Sequence, residues 1–144
     1  MDTKAIEEYL SSVFNKTVID HAVRPRNMMV PTPPYLHDFH QTANNERIDF
    51  YIKLDGDKII ECTFTAEGRT SAFASASVVT EMVKGMKVSH ALSFITAESI
   101  AEELGGLPEE EAFGAALAEE ALKKVLIKSF DVVKHPWKAL YSKG

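Results

Sequence analysis

The sequence predicts an α+β fold, a small antiparallel sheet with helices packed on one of its faces. Ile48, Phe50, Ile52 and Leu54 alternate with Arg47, Asp49, Tyr51 and Lys53, the period of two that marks a half-buried strand. Asp55-Gly56 supplies a hairpin turn. A return strand follows, with Ile60, Cys62, Phe64 and Ala66 on one face and Ile59, Glu61, Thr63 and Thr65 on the other, so the hairpin has one wet face. On either side of it apolar residues recur at helical spacing instead. The chain has 144 residues, the size of one domain. Such a domain buries roughly 68–70% of its unfolded surface and stands without staples.

Taken in order, Ile6, Leu10, Val13 and Phe14, then Val18, Ile19 and Val23, place a helix over residues 5–24 with a break near Asn15-Lys16-Thr17. Asp2 or Thr3 caps its start, and Pro25 ends it because the proline ring disfavours the α conformation of Arg24. Residues 24–44 carry Pro25, Pro31, Pro33 and Pro34 and read as one long irregular stretch, which in a compact domain is functional or mobile. Within it Met28-Met29-Val30 suits a short edge strand, given the proline beside it. Met28-Met29 and Tyr35 read either as a partner-binding patch or as loop anchors. After the hairpin, Gly68 ends the return strand, Thr70 or Ser71 caps a helix running to Lys84, and Gly85 closes it. Its opening Ser71-Ala72-Phe73-Ala74-Ser75-Ala76-Ser77 is small enough for the helix to lie close against a neighbour. A helix over residues 88–94, another capped by Thr96 over residues 97–104, a Gly105-Gly106 break and a long helix over residues 109–130 complete the domain. Phe113, Leu117, Ala121, Leu122, Val125 and Leu126 form the buried stripe of that last helix, and three glutamates suit the positive end of its dipole. One domain thus spans residues 1–130, and residues 131–144 form a loosely attached C-terminal tail.

Hydrophobic residues make up 45% of the chain and charged residues 26%, which excludes disorder and fibrous structure. No apolar run approaches the ~18 residues a membrane span needs, and the first residues lack a signal-peptide layout. The expected address is the cytoplasm, with no membrane partner. Sixteen basic against 21 acidic residues leave a net charge of −5, which repels phosphate backbones and argues against a nucleic-acid partner. Lys123, Lys124 and Lys128 lie among acidic neighbours and read as a solvated face. Cys62 is the single cysteine, so it makes no intramolecular disulfide and no multi-thiolate site by itself. In mid-strand beside Phe64 it reads as a small buried hydrophobe.

Four strings resemble a known family. They are Val18-Ile19-Asp20-His21 with Arg24-Pro25-Arg26-Asn27; Ile52-Lys53-Leu54-Asp55-Gly56-Asp57-Lys58-Ile59; the small-residue run with Thr80-Glu81-Met82-Val83-Lys84-Gly85; and Leu117-Ala118-Glu119-Glu120-Ala121-Leu122. In this order they resemble the iron–sulfur cluster assembly scaffold family, of the type found as IscU and as the N-terminal domain of NifU, over residues 18–130. The resemblance implies that fold, and it implies a site of three cysteines and an aspartate around one cluster, with a histidine beside the third cysteine. Those positions fall on Asn44, followed by Asn45 and Glu46, on Arg69, and on Gly114 with Phe113 in place of the histidine. None is a thiolate. The family's Leu-Pro-Pro-Val-Lys string is reduced to Leu107-Pro108-Glu109-Glu110-Glu111. Thiolates are the soft anionic ligands such clusters need; Asn and Gly cannot replace them, and Arg69 sets a permanent cation in their place.

The expectation is a divergent scaffold-like protein, not an enzyme, with no cofactor at the family site. It acts as an adaptor or regulator toward a cysteine desulfurase or another iron–sulfur assembly protein. Two alternatives stay open. Arg69, Thr70 and Ser71 combine backbone N–H groups with a guanidinium and form a candidate site for a small anion or ligand. In the competing reading, which we prefer, Arg69 pairs with Glu46 or Glu67 and closes the pocket. The other alternative is a metal site drawing on His37, His40 and Glu46, with Asp38 and Glu67, although the spacing matches no zinc motif. His21, at the end of the first helical stretch, reads as structural. Ser71, Ser75 and Ser77 have no histidine or carboxylate at a recognisable spacing, which leaves hydrolytic catalysis without support.

Overall fold

The break in the first helical stretch is a helix cap. Asn15 stands in extended backbone and its side chain accepts the Val18 N–H at 2.9 Å, separating α1 (Thr3–Leu10) from α2 (Lys16–Val23). A computed structural model describes residues 3–137. Asn15 also donates to the carbonyls of Leu104 and Gly106, which ties the start of α2 to the Gly105-Gly106 break.

The sheet has three antiparallel strands, β1 (Leu36–Gln41), β2 (Arg47–Asp55) and β3 (Lys58–Glu67), in the order β1-β2-β3. β1 lies inside the stretch that reads as irregular. Leu36, Asp38 and His40 face the helices, so only one apolar residue advertises this strand. Met28 does pair as an edge, through a parallel bridge to Phe64 on the opposite side of the sheet. The chain therefore crosses from one edge to the other between Met28 and Leu36. Tyr35 meets Tyr51 edge-on at 5.2 Å on the face away from the helices. Asp49, Tyr51 and Thr63 are buried on the face expected to be wet, with Tyr35 and His37 against Tyr51 and with Arg47 and His37 on Asp49.

A register shift between Lys53 and Leu54 pairs Lys53 with Glu61 but Leu54 with Ile59. This bulge turns the start of β3 over: Ile59 is fully buried and Ile60 is 45% exposed, the reverse of the alternation expected there. Cys62 and Phe64 keep their inward face.

Helix α3 (Thr70–Val83) buries ten of its side chains, as its small residues allow. Next come α4 (Val88–Phe94) and α5 (Ala97–Glu103), the latter opened by a reciprocal capping box between Thr96 and Ser99. The last helix starts later than its spacing suggests. Its three glutamates form a 3-10 turn, Glu109–Glu111, and α6 runs over Phe113–Lys134. Phe113 is consequently only half-buried rather than part of the stripe, whereas Val132, beyond the expected end at Phe130, is buried. Helical structure thus continues into the stretch read as tail; residues 138–144 lie outside the described residues. Two lysines read as solvated have structural work. Lys124 Nζ donates to His40 Nδ1 at 3.0 Å and Lys128 Nζ to the His37 carbonyl at 2.6 Å, so α6 clasps the edge strand β1. The core lies between the sheet's inner face (Ile48, Phe50, Ile52, Phe64) and the apolar faces of α3 and α6. This is the expected α+β arrangement. Among the described residues no helix is long and apolar enough to cross a membrane.

Candidate functional site

The β1–β2 turn, the start of α3 and the start of α6 meet at one corner, and this brings Asn44, Glu46, Arg69, Phe113 and Gly114 together. In the turn, Asn45 adopts φ 62°, a left-handed conformation that Asn tolerates, and donates to the Thr42 carbonyl at 3.1 Å. Thr42 in turn donates its N–H to the Glu46 carbonyl at 2.8 Å. The turn directs Glu46 inward, where it is 6% exposed. Its Oε1 accepts the Arg69 backbone N–H at 2.7 Å and its Oε2 accepts Arg69 Nη2 at 3.1 Å. A glycine is required beside it. Gly68 has φ 146°, and a Cβ there would stand 2.6 Å from Glu46 Oε1.

Arg69, rather than Thr70 or Ser71, is the N-cap residue of α3, and no side chain of its own segment caps the helix. Glu46 brings a negative charge from another element to the positive end of the helix dipole. The Arg69 guanidinium also lies over the Phe113 ring, 4.0 Å from its centroid. Behind this stack, Gly114 presses on α3. A Cβ at Gly114 would stand 2.5 Å from the carbonyl carbon and oxygen of Ser71 and 2.6 Å from its Oγ.

These residues do not fit an iron–sulfur cargo. The positions to which the resemblance points, Asn44, Arg69 and Gly114, offer an amide, a cation and no side chain, and the third lacks room for a Cβ unless α6 moves. Cys62 sits on the core face of the sheet, away from the corner, and burial raises its thiol far above the ordinary value. Arg69 pairs with Glu46, not with Glu67, which lies across the sheet from Arg47. What remains open is a polar crevice of about 430 Å³ lined by Asn44, Asn45, Glu46, Gly68 and Arg69. The Glu46 carboxylate already takes the Arg69 N–H and one guanidinium nitrogen, two of the donors an external anion at Arg69, Thr70 and Ser71 would use. Ser71 Oγ is fully buried and makes no hydrogen bond among the described residues.

The candidate metal residues do not converge. His37 and His40 are three apart on one strand and so point to opposite faces. His37 Nε2 lies 2.7 Å from Asp49 Oδ2 on the outer face, His40 bonds Lys124 on the helix side, and Glu46 is engaged with Arg69. Among the described residues no group of three or more His, Cys, Asp or Glu side chains is placed to hold an ion.

Sequence reasoning missed a network on the outer face. Arg47 donates to Asp49 at 2.6 and 2.9 Å and covers the Phe39 ring at 3.7 Å, while His37 stacks on Tyr51 at 4.7 Å. Burial pushes the Asp49 carboxyl up, but the hydrogen bonds from Arg47 and His37 outweigh it and hold the group below its usual range. The alternation of Arg47, Asp49 and Tyr51 correctly marks one face; nothing in it reveals that Tyr35 and His37 lie against that face.

A family model described as the NifU-like N-terminal domain matches residues 13–134. The iron–sulfur cluster assembly scaffold protein IscU of Aquifex aeolicus is 36% identical over 129 residues, covering 84% of this chain and 78% of that protein. The scaffold protein IscU 1 of Archaeoglobus fulgidus is 30% identical over 119 residues, covering 82% and 77%. The zinc-dependent sulfurtransferase SufU of Bacillus subtilis is 33% identical over 84 residues, covering 58% and 57%. Among solved structures, the N-terminal part of a nitrogen-fixing NifU-like protein from Brucella abortus has a TM-score of 0.55 at 16% identity. It covers 94% of this chain and 99% of that one, a likeness of fold alone.

Proposed function

The chain belongs to the NifU-like N-terminal domain family, and from that premise we propose that it is a divergent member which carries no cluster at the family corner. It works instead as an adaptor or regulator, by binding another iron–sulfur assembly protein, a cysteine desulfurase foremost. One observation carries the reading: Glu46, Arg69 and Phe113 are engaged with one another at the corner where the resemblance puts the ligand thiolates. An assembly-family fold without thiolates at this corner still has its outer surface for partners. Sulfur transfer, which the name of the Bacillus relative specifies for that protein, lacks a nucleophile here, because the lone thiol is buried in the sheet. The role is therefore non-enzymatic, and its proposed setting is the cytoplasm.

The test is titration calorimetry of the full chain against the cysteine desulfurase of the same host, followed by incubation of the pair with labelled cysteine. The reading expects saturable binding and no label on this chain. Persulfide label on Cys62, or no heat of binding with competition against the host's cysteine-bearing scaffold also absent, contradicts it.

A further inference from the structure

The junction of α2 and α3 holds a buried polar ladder that the closed corner does not use. His21 is 6% exposed, and its Nδ1 lies 2.8 Å from Ser77 Oγ. The same oxygen accepts the backbone N–H of Arg26 at 2.8 Å. Three residues further along α3, Thr80 donates its hydroxyl to the Ser77 carbonyl at 2.7 Å and accepts from Asn27 Nδ2 at 3.0 Å. Asn27 has a left-handed backbone, φ 59°, and its carbonyl accepts the Phe64 N–H at 3.0 Å. Met28 is thereby seated against the outer edge of β3. Two hydroxyls of α3 thus fasten the segment that covers this edge.

Counting protons fixes the state of His21. A serine hydroxyl has one proton to give. Ser77 Oγ receives the Arg26 N–H, and the acceptor left for its own proton is His21 Nδ1. The imidazole is then neutral and carries its proton on Nε2, which faces Glu81 Oε1 at 3.7 Å. Protonating Nδ1 turns that acceptor into a donor. Ser77 Oγ would face two donors, and its own proton would have no acceptor in a buried site. Around the ring, burial and the Arg26 cation oppose the charged form, while Glu81, Asp20 and Glu103 favour it; the sum lies below the ordinary histidine range.

We propose that His21 is a proton-operated catch: neutral, it fastens Arg26, Asn27 and Met28 to α3 and β3, and protonated, it releases them and frees the edge of β3. Release uncovers the Phe64 N–H beside Met28, Met29 and Val30, whose side chains are already 42–55% exposed. The chain therefore gains a strand-pairing edge only on acidification.

Amide hydrogen exchange on the full chain, read at single residues by NMR, tests this. Corrected for intrinsic rates, opening at Arg26 and Phe64 rises several-fold from about pH 7.5 to about pH 5.5. The ceiling is about tenfold, set by a released imidazole titrating near 6.5. Amides in the middle of β2 do not follow. The imidazole nitrogen spectrum of the unaltered protein at neutral pH shows the Nε2–H tautomer. His21→Gln removes the pH dependence; if that variant does not fold, Ser77→Ala opens Arg26 at both pH values. A proton on Nδ1 at neutral pH, no rise on acidification, or the same rise in His21→Gln overturns the proposal.

Discussion

Replacing Gly114 by alanine adds one methyl group where α6 rests on the start of α3. The new Cβ would lie 2.5 Å from the carbonyl carbon and oxygen of Ser71 and 2.6 Å from its Oγ. Carbon atoms rest at roughly 3.5–4.0 Å, so α6 must retreat by about 1 Å. Overpacking of this kind costs about 1–3 kcal/mol. The better helix propensity of alanine returns at most about 1 kcal/mol. From the middle of the overpacking range, about 2 kcal/mol, the net loss is about 1–2 kcal/mol, and at a urea slope of about 2 kcal/mol/M it lowers the unfolding midpoint by roughly 0.5–1 M. Equilibrium urea unfolding followed by circular dichroism measures it. Ser71→Gly in the same chain removes only one of the three close atoms, since the other two are backbone, and leaves most of the loss in place. An unchanged or higher midpoint for Gly114→Ala, or full rescue by Ser71→Gly, refutes the closed-corner geometry. Cysteine at 114 would carry the same Cβ into the same contacts.

Three further outcomes follow from the same structure. Glu46→Ala leaves the Arg69 N–H without its partner, while the exposed guanidinium turns to water, and stability falls by about 1 kcal/mol. Phosphate then raises the melting temperature of the variant and not of the parent; equal stabilisation of both would show that Glu46 does not fill the anion position. Cys62 stays inert to Ellman's reagent in the native state and reacts at the rate of unfolding in urea, whereas fast native labelling would place the thiol outside the core. Asp49, whose pKa is depressed in the fold, contributes stability in full above its unfolded value of about 3.9 and loses it as pH falls below that. Asp49→Asn therefore lowers the melting temperature at neutral pH and flattens the acid limb; an unchanged acid limb contradicts the network.

What the sequence revealed was local. The hairpin, the small-residue helix and the Thr96 cap are written in alternation, turn residues and capping spacing, each decided within a few residues. Features set by distant partners stayed hidden. β1 presents only Leu36 to the core, its inward Asp38 and His40 being covered by Lys128 and Lys124, so neither the strand nor the role of the lysines shows in a pattern of apolar residues. Ile59 and Ile60 are equally apolar, and only the bulge decides which one is buried. Phe113 has the right spacing for the stripe but falls on the first residue of α6, where it meets Arg69 instead of the core. The choice between Glu46 and Glu67 as partner of Arg69 needed the register, which places Glu67 opposite Arg47. An ion pair of Arg69 with a nearby glutamate was thus legible, while the choice of Glu46 and the stacking on Phe113 were not.

On the proposed reading this corner carries no iron–sulfur cluster. Anaerobic incubation of the purified chain with ferrous iron, sulfide and reductant, followed by desalting and measurement of iron, sulfide and visible absorption, addresses it directly. The account expects iron and sulfide to leave with the small molecules and the spectrum to remain that of the colourless protein. A coloured species that survives desalting with iron and sulfide in fixed proportion to the chain would contradict it.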